Sequence, residues 1–338
     1  MSRVDVIVPC YNYARYLPTC LNSVLNQSHS DVHVLVIDDA STDATSAVAA
    51  EYAARDKRVE VRRHSSNCGN IATYNEGLEW ASGDYLLLLS ADDWLTPGAL
   101  ARAAYVLDSR PEVGLTCGGA VVVEQGKQLS EVPIQGDCCD YQVISGQSFI
   151  EKTCLNSTAS PLWTPTAIVR TAIQKQVGGY NKALPHAGDL EMWLRFACRS
   201  SVATLDAYQA YYRKHESNMH YTESRRLLGN SRQHLSAFES VFNEYGTEIA
   251  DREKLEQVYR NALAGDALNA AAGAFDEGRY ADCAEYMLFA ESVYPEIRGT
   301  SAWYRMRAKK MLGPELVGQL RSVSNFLREK AGSVLRPQ

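Results

Sequence analysis

The chain has 338 residues, of which 46% are hydrophobic and 22% are charged, and its formal net charge is -6. This composition is typical of a folded globular protein and excludes an intrinsically disordered chain. The acidic balance argues against a nucleic-acid partner. The longest apolar stretches, VDVIVP, VHVLVI and YLLLL, are far shorter than the roughly 18 residues that a membrane-spanning helix needs. We therefore expect no transmembrane segment.

The start of the chain and its cysteines indicate the compartment. The first nine residues hold an apolar segment of strand length, without the charged start and the small-residue cleavage site of a signal peptide. The nine cysteines are an odd number and show neither CxxC pairs nor regular spacing, which indicates reduced thiols and argues against structural zinc. Both observations favour a cytoplasmic protein.

Apolar runs alternate with helical patterns in the first part of the chain. A helix is predicted from about Arg15 to Asn26 and another after Ser41. Unbroken apolar runs are typical of strands that are buried on both faces of a parallel sheet. We therefore predict an α/β fold with a doubly wound, mainly parallel sheet flanked by helices. Its first strands are predicted at residues 4–9, 32–38, 59–64 and 85–90.

Polar residues follow three of the predicted strands, namely residues 10–12, Asp38 with Asp39, and Asp92 with Asp93. In open α/β sheets, ligands bind outside the carboxyl ends of the strands. Each acidic pair taken alone is also explained as a turn or a helix cap. Four carboxylates at one crevice repel each other, and a divalent ion that bridges to phosphate oxygens relieves this repulsion. Together the pairs predict a phosphorylated ligand with Mg²⁺ or Mn²⁺.

Two common phosphate-binding motifs are missing from the first strand. The strand ends in VPCYN, whereas a dinucleotide site would show GxGxxG and a P-loop would show GxxxxGK[ST]. This difference argues against a dehydrogenase and against a P-loop enzyme.

Several motifs in chain order resemble family 2 glycosyltransferases, which have the GT-A fold. VDVIVPCYNYARYLPTCLNSVLNQS and VLVIDDASTDAT resemble the opening of that family, NCGNIATYNEGLEWASGDYLLLLSADDWLTPGAL resembles the part that carries its acidic motif, and GDLEMWLRFA resembles its catalytic-base helix. The resemblance spans residues 4–217. It implies an inverting, metal-dependent glycosyltransferase. Such an enzyme moves a sugar from a nucleotide-diphosphate sugar, with a UDP-sugar favoured, to a hydroxyl of a glycan or lipid-linked acceptor. The pathway implied is polysaccharide or lipopolysaccharide biosynthesis.

The resemblance also implies roles for single residues. Arg213 is expected to take up the charge of the leaving diphosphate. Three positions depart from the family pattern. Ser90 replaces the first acid of the acidic motif, Tyr74 replaces an Arg, and Gly188 replaces a Glu. The nucleotide-binding residues are expected to be Pro9, Tyr11, Asn12, Asp39, Asn75 and Asp92, and the ligands of Mn²⁺ or Mg²⁺ are expected to be Asp92, Asp93 and His215.

Asp189 is the predicted catalytic base. Sugar transfer to a hydroxyl requires removal of the acceptor proton, and a carboxylate at a helix N-terminus is favoured in its charged form. A simple helix cap is the alternative for Asp189. Glu191 is a weaker candidate because it faces another direction on the helix. Trp163 and His186 are expected on the acceptor side, although Trp163 is equally explained by packing.

The strand signal ends near Thr222, and Ala-rich helical patterns follow. We predict a catalytic domain over residues 1–221 and a helical region over 222–338 that docks on the catalytic domain or on another subunit, as in a homo-oligomer. Residues 275–295 resemble one tetratricopeptide hairpin, although such repeats normally need about three copies. The basic, amphipathic residues 321–337 are suited to contact at the inner face of a membrane, or form a solvated helix end.

Two other functions are consistent with parts of this pattern. A sugar nucleotidyltransferase is also α/β and metal-dependent, but the Gly-rich N-terminal loop with Arg and Lys that such a resemblance requires is absent. A non-catalytic nucleotide-sugar-binding or scaffold protein would explain the missing first acid at Ser90. Only an enzyme turns over a nucleotide-sugar, so a measurement of turnover distinguishes an enzyme from this non-catalytic protein.

Overall fold

The computed structural model describes residues 2–124, 135–156, 161–215, 227–313 and 315–316. Within these residues the strands form one nine-stranded sheet with the order β3-β2-β1-β4-β8-β6-β9-β5, and β7 also pairs with β9. The strands are β1 (Val4–Cys10), β2 (Val32–Asp38), β3 (Val59–Arg63), β4 (Tyr85–Leu88), β5 (Trp94–Leu95), β6 (Val113–Glu124), β7 (Tyr141–Ile144), β8 (Ile168–Arg170) and β9 (Ser201–Lys214).

Helices cover both faces of this sheet and continue beyond it. The helices are α1 (Leu17–Leu25), α2 (Thr45–Arg55), α3 (Asn70–Trp80), α4 (Ala99–Ser109), α5 (Gly146–Leu155), α6 (Thr171–Val177), α7 (Gly188–Ala197), α8 (Leu227–Glu244), α9 (Arg252–Asp276), α10 (Tyr280–Val293) and α11 (residues 301–313). Short 3-10 turns lie at Thr164–Thr166 and Pro295–Gly299.

The first four strands run parallel to one another, and β8 is antiparallel to both β4 and β6. Every residue of β1 is buried, and successive residues of β1 enter opposite cores: Val6 and Val8 lie in one hydrophobic cluster and Ile7 in the other. Such burial on both faces explains why the strands appear in the sequence as unbroken apolar runs. The predicted α/β fold with a mainly parallel sheet and a helical C-terminal region is confirmed.

The C-terminal helices pack on the sheet domain through one continuous core. Phe238 and Phe242 of α8 and Tyr259 of α9 belong to the same buried cluster as Trp193 of α7. The Phe238 and Tyr259 rings stack with centroids 4.5 Å apart. The helical region therefore docks on the preceding part of the same chain.

Some sequence predictions fall outside the described residues. The predicted domain boundary between residues 221 and 222 and the predicted amphipathic stretch at 321–337 are among them, so both stay predictions. Helices α9 and α10 form a hairpin around Gly278, which has φ +78, and their likeness to a tetratricopeptide unit also stays a prediction. Within the described ranges, no helix combines the length and apolar character needed to cross a bilayer.

Candidate active site

Asn12 joins the loops that follow β1 and β2. Its φ is 58°, in the left-handed region that Asn tolerates better than most residues. Its side-chain oxygen accepts hydrogen bonds from the backbone N–H of Thr42 at 2.8 Å and of Asp43 at 3.3 Å, and its own N–H donates to Ser41 Oγ at 2.9 Å. Asn12 thus fixes the two loops where the predicted nucleotide pocket opens.

Pro9 and Tyr11 lie at the end of β1. Pro9 is buried in the sheet opposite Ile37, whereas Tyr11 is 45% exposed. The exposed Tyr11 ring is the group of this pair that a bound nucleotide can contact. The nucleotide-binding roles of Pro9, Tyr11 and Asn12 stay predictions.

Asp38 organises the turn between β2 and α2. Its fully buried carboxylate accepts hydrogen bonds from Ser41 N–H at 2.9 Å and from Ser46 Oγ, and Arg63 Nε lies 3.4 Å away. Burial alone would raise the pKa of Asp38, but the hydrogen bonds and the Arg63 charge outweigh it and hold the pKa below its ordinary value. A structural role in this turn is therefore sufficient to explain the contacts of Asp38.

Asp39 is the centre of a hydrogen-bond network that reaches α3. Its Oδ1 accepts from Cys68 N–H at 2.7 Å and lies 2.7 Å from His64 Nδ1, and its Oδ2 accepts from Gly69 N–H at 2.9 Å. The other ring nitrogen of His64 lies 2.7 Å from Glu76 Oε2. The hydrogen bond to Asp39 raises the pKa of His64, with Glu76 adding to the effect and burial opposing it. Asp39 therefore positions the loop that leads into α3.

Asp39, His64 and Cys68 form, among the described residues, the one group of three metal-ligating side chains whose ligand atoms lie within 4.8 Å of one another. Hydrogen bonds between Asp39 and its neighbours account for this closeness, and Cys68 is at the surface. A thiolate is also a poor ligand for Mg²⁺ or Mn²⁺. We interpret the group as a structural network, and the predicted nucleotide contact of Asp39 stays a prediction.

The predicted metal ligands lie together where β5 pairs with β9. Asp92 and Asp93 are only 5% and 3% exposed. Asp92 Oδ2 lies 3.0 Å from His215 Nε2, and Asp93 Oδ1 accepts a hydrogen bond from the backbone N–H of Arg213 at 2.9 Å. The structure thus brings together two segments that lie more than a hundred residues apart in the sequence.

The acidic pair does not cap the following helix. Strand β5 intervenes, and Gly98 occupies the N-cap position of α4. The Ser90 carbonyl accepts the Asp93 N–H at 3.0 Å and closes the turn that carries both acids. Burial and the neighbouring Asp92 charge raise the pKa of Asp93, whereas Arg213 acts in the opposite direction. Two adjacent buried carboxylates of this kind are costly unless a cation offsets their charge.

Arg213 is held between aromatic rings beside the acidic pair. Its guanidinium carbon lies 4.6 Å from the Tyr16 ring centre and 4.4 Å from the Trp94 ring centre, and its Nε donates to the Asp92 carbonyl at 3.0 Å. Trp94 in turn stacks on Tyr211 at 4.8 Å. Stacking and a hydrogen bond fix the direction of a guanidinium in a way that the more flexible lysine cannot reproduce.

Asp189 lies in the first turn of α7, whose N-cap residue is Ala187. Thr164 Oγ1 donates to Asp189 Oδ2 at 2.8 Å, and Tyr180 Oη donates to Asp189 Oδ1 at 2.9 Å. Trp163 precedes Thr164, is 41% exposed, and lies 5.3 Å from the Tyr212 ring. An exposed aromatic ring therefore stands next to the residue that holds Asp189.

Glu191 is engaged elsewhere. It forms a buried ion pair with Arg195 at 2.7 Å and accepts a hydrogen bond from Ser240 Oγ of α8 at 3.3 Å. Burial raises the pKa of Glu191, with Arg195 opposing this effect.

His186 is exposed in the loop before α7, and its backbone N–H donates to Gln233 Oε1 at 3.4 Å. The acceptor-side roles of His186 and Trp163 stay predictions.

Asn75 contacts protein backbone through both side-chain polar atoms. Its oxygen accepts from Tyr180 N–H at 2.6 Å, and its nitrogen donates to the Tyr180 carbonyl at 3.0 Å. The predicted nucleotide contact of Asn75 is untested, and its observed contacts connect α3 with the residue that holds Asp189.

Tyr74 connects the acidic pair with Asp189. Burial raises its pKa, and the charges of Asp189, Asp92 and Asp93 add to this effect. Its ring also lies 5.4 Å from the Tyr180 ring. The Tyr74 phenol therefore lies beside Tyr180, which donates to Asp189, and the charges of all three carboxylates raise its pKa.

Sequence reasoning missed several residues of this site, chiefly Tyr16, His64, Trp94, Thr164 and Tyr180. Trp94 directly follows the acidic pair, and the other four lie apart from it; each contacts a predicted site residue through the tertiary fold. Thr164 had a weak signal, because it belongs to the polar SPLWTP segment that contains Trp163. Tyr180 had no signal in the sequence, since a Tyr after two glycines does not indicate a functional site.

Comparisons with known proteins identify the family and the fold of the chain. A model of the family described as Glycosyl transferase family 2 matches residues 5–173, half of the chain. An uncharacterized glycosyltransferase of Haemophilus influenzae is 26% identical over 274 residues, which cover 78% of this chain and 76% of that protein. Four other curated relatives are 25 to 37% identical over shorter segments, and the chain spans only 13 to 60% of their length.

Two solved structures show the same fold. S. aureus TarS 1–349 in complex with UDP-GlcNAc has a TM-score of 0.53 and 20% identity, and the match covers 88% of this chain and 92% of that chain. The mannosyltransferase PcManGT from Pyrobaculum calidifontis, in complex with GDP-Man and Mn²⁺, has a TM-score of 0.54 and 19% identity, with 86% of each chain covered. The predicted resemblance to a GT-A glycosyltransferase with a C-terminal extension is confirmed.

Proposed function

The chain belongs to glycosyltransferase family 2, and from that premise we propose that it transfers a sugar from a nucleotide-diphosphate sugar to a hydroxyl group by a metal-dependent, inverting reaction. The observation that carries this proposal is the geometry along β9. The N–H of Arg213 donates to Asp93, and the ring of the preceding Tyr212 lies 5.3 Å from that of Trp163, whose neighbour Thr164 donates to Asp189. Adjacent residues of β9 thus connect the predicted base with the predicted diphosphate site, which supports the proposal.

The donor side of the site is suited to a charged diphosphate. Asp92 and Asp93 supply carboxylate oxygens and His215 supplies an imidazole nitrogen, a donor set that fits Mn²⁺ or Mg²⁺. A divalent ion bound there would offset the charge of the diphosphate. Arg213, fixed between Tyr16 and Trp94, lies beside these ligands and stabilises the charge of the leaving group.

Asp189 acts on the acceptor. It removes the proton from the acceptor hydroxyl while the oxygen attacks the anomeric carbon of the sugar. The new bond joins the acceptor oxygen to that carbon, the bond to the diphosphate breaks, and the proton stays on Asp189. A single displacement of this kind inverts the anomeric configuration.

The comparisons support the class of donor. TarS is described with UDP-GlcNAc and PcManGT with GDP-Man and Mn²⁺. We favour a UDP-sugar donor, and as acceptor a glycan or lipid-linked glycan of polysaccharide or lipopolysaccharide biosynthesis, reached from the cytoplasmic side.

Nucleotide release tests this function. The protein is incubated with UDP-, GDP- and dTDP-sugars, with and without Mn²⁺, and free nucleoside diphosphate is measured, with water as the acceptor. We expect metal-dependent release from one nucleotide class. Thermal stabilisation by a nucleotide-sugar without any release would instead support the non-catalytic binding protein.

A further inference from the structure

The carboxylate of Asp189 is held from two sides by residues of different structural elements. We propose that Tyr180 and Thr164 are positioning residues that orient Asp189, and that Asn75 fixes Tyr180 in place for this task. This inference rests on the proposed role of Asp189 as the base. It also assigns Asn75 a task that is separate from its predicted nucleotide contact.

The two hydrogen bonds fix the carboxylate plane. Tyr180 Oη donates to Oδ1 at 2.9 Å, and Thr164 Oγ1 donates to Oδ2 at 2.8 Å. Tyr180 lies in the loop after α6 and Thr164 in a 3-10 turn before β8. A hydrogen bond to each oxygen therefore holds the carboxylate in one orientation.

The loop that carries Tyr180 is itself fixed. Asn75 binds both backbone polar groups of Tyr180, at 2.6 and 3.0 Å. Arg195 donates to the carbonyls of Gly179, at 2.8 Å, and of Val177. Arg195 is in turn held by its buried ion pair within α7. Helices on two sides of the loop therefore determine where the Tyr180 hydroxyl lies.

Two glycines leave the room that this arrangement needs. A Cβ at Gly179 would lie 2.5 Å from Asn75 Oδ1, and a Cβ at Gly188 would lie 3.0 Å from Tyr180 Cδ1. The Tyr180 ring thus fills the space next to Gly188, where the family resemblance leads one to expect a Glu. The departure from the family pattern at Gly188 is explained by the presence of Tyr180.

Burial and the surrounding charges keep the Tyr180 hydroxyl protonated. Burial and the Asp189 charge raise the pKa of Tyr180, so its hydroxyl remains a donor. The pKa of Tyr74 is also raised, again by burial and by the Asp189 charge. The other charged groups of α7 near this end, Glu191 and Arg195, neutralise each other in their ion pair. Hydrogen bonds to a carboxylate favour its charged form, which is the form that accepts a proton.

The pKa of Asp189 tests the inference directly and needs no substrate. Aspartate with carbon-13 at Cγ is incorporated, and the Asp189 signal is assigned by its loss in Asp189→Asn. Each hydroxyl donates to a charged group, so we expect Tyr180→Phe and Thr164→Val each to raise the pKa of Asp189 by about one unit. Asn75→Ala is expected to shift it in the same direction.

Conservative variants serve as controls. Thr164→Ser retains the hydroxyl and is expected to keep the wild-type pKa, and Tyr105→Phe, at an exposed position of α4, is expected to leave Asp189 unchanged. The inference is overturned if Tyr180→Phe and Thr164→Val leave the pKa of Asp189 at the wild-type value. That failure differs from failure of the proposed function, which would appear as turnover retained by Asp189→Asn.

Discussion

His64 shows how one residue couples three elements of the candidate site. It follows β3, and its ring bridges Asp39 at the end of β2 and Glu76 on α3 at 2.7 Å each. The pKa of His64 is raised chiefly by the hydrogen bond to Asp39. Protonated His64 donates to both carboxylates, so the charge of the ring strengthens the network in the folded state.

The stability contribution of His64 should depend on pH. A histidine with a raised folded-state pKa stabilises the fold fully below its unfolded-state pKa of about 6.5, and this stabilisation is lost as pH rises through the folded-state pKa. We therefore expect His64→Gln to lower the free energy of unfolding more at about pH 6 than at about pH 9. Urea unfolding at the two pH values measures this difference.

His33→Gln, which alters an exposed histidine of β2, is the matched control and should show no such trend. An equal loss of stability at both pH values would mean that the charge of His64 does not contribute.

Arg102 connects helix α4 to strand β9 and to the residues before β7. It is almost completely buried, and its guanidinium donates to Gln209 Oε1 at 2.7 Å, to Thr96 Oγ1 at 3.0 Å and to the Gly136 carbonyl at 2.5 Å. These partners carry no charge, so hydrogen bonds rather than an ion pair compensate for its burial. Arg102 thereby fixes α4 beside the strand that carries Arg213.

Loss of the Arg102 guanidinium should be costly. Arg102→Met keeps most of the apolar stem but leaves several buried acceptors unsatisfied, and we expect it to lower the free energy of unfolding by about 3 kcal/mol. Denaturant titration measures this change. Arg110→Met, at the exposed end of the same helix, should have little effect, and equal effects of the two substitutions would contradict the role given to Arg102.

Elements of the fold were predictable to different degrees. The buried parallel strands were recognisable because burial on both faces leaves an unbroken apolar run, as in β1 and β2. The acidic pair was recognisable because two adjacent carboxylates after such a run are unusual. Tyr180 and Thr164 were not, because their role arises from contacts with Asp189 over 9 and 25 residues that no local pattern encodes. The structural contacts of Asn75 were hidden for the same reason.

The helical region and the sheet domain share one hydrophobic core at the scale of the whole molecule. Phe238 is fully buried between α7 and α9, and Ser240 of the same helix contacts Glu191 of α7. A shared core of this kind couples the unfolding of its parts. The described part of the molecule is therefore expected to unfold as one unit.

Calorimetry tests this coupling. We expect one unfolding transition for the wild type, and we expect Phe238→Ala to lower the free energy of that transition by about 3 to 5 kcal/mol because it leaves a cavity. Leu288→Ala, at an exposed position of α10, is the control and should change the transition little. Two separate transitions, of which Phe238→Ala affected only one, would show that the helical region folds independently.

Turnover of Asp189→Asn tests the central claim most directly. The substitution keeps the shape of the side chain but removes the base, which typically contributes a factor of 10² to 10⁴ in rate. With a nucleotide-sugar from which the wild-type assay yields nucleoside diphosphate, we expect this release to fall by at least about a hundredfold in Asp189→Asn, while affinity for the nucleotide stays nearly unchanged. Asp206→Asn, at an exposed position of β9, should retain wild-type turnover. Wild-type turnover in Asp189→Asn would contradict the account.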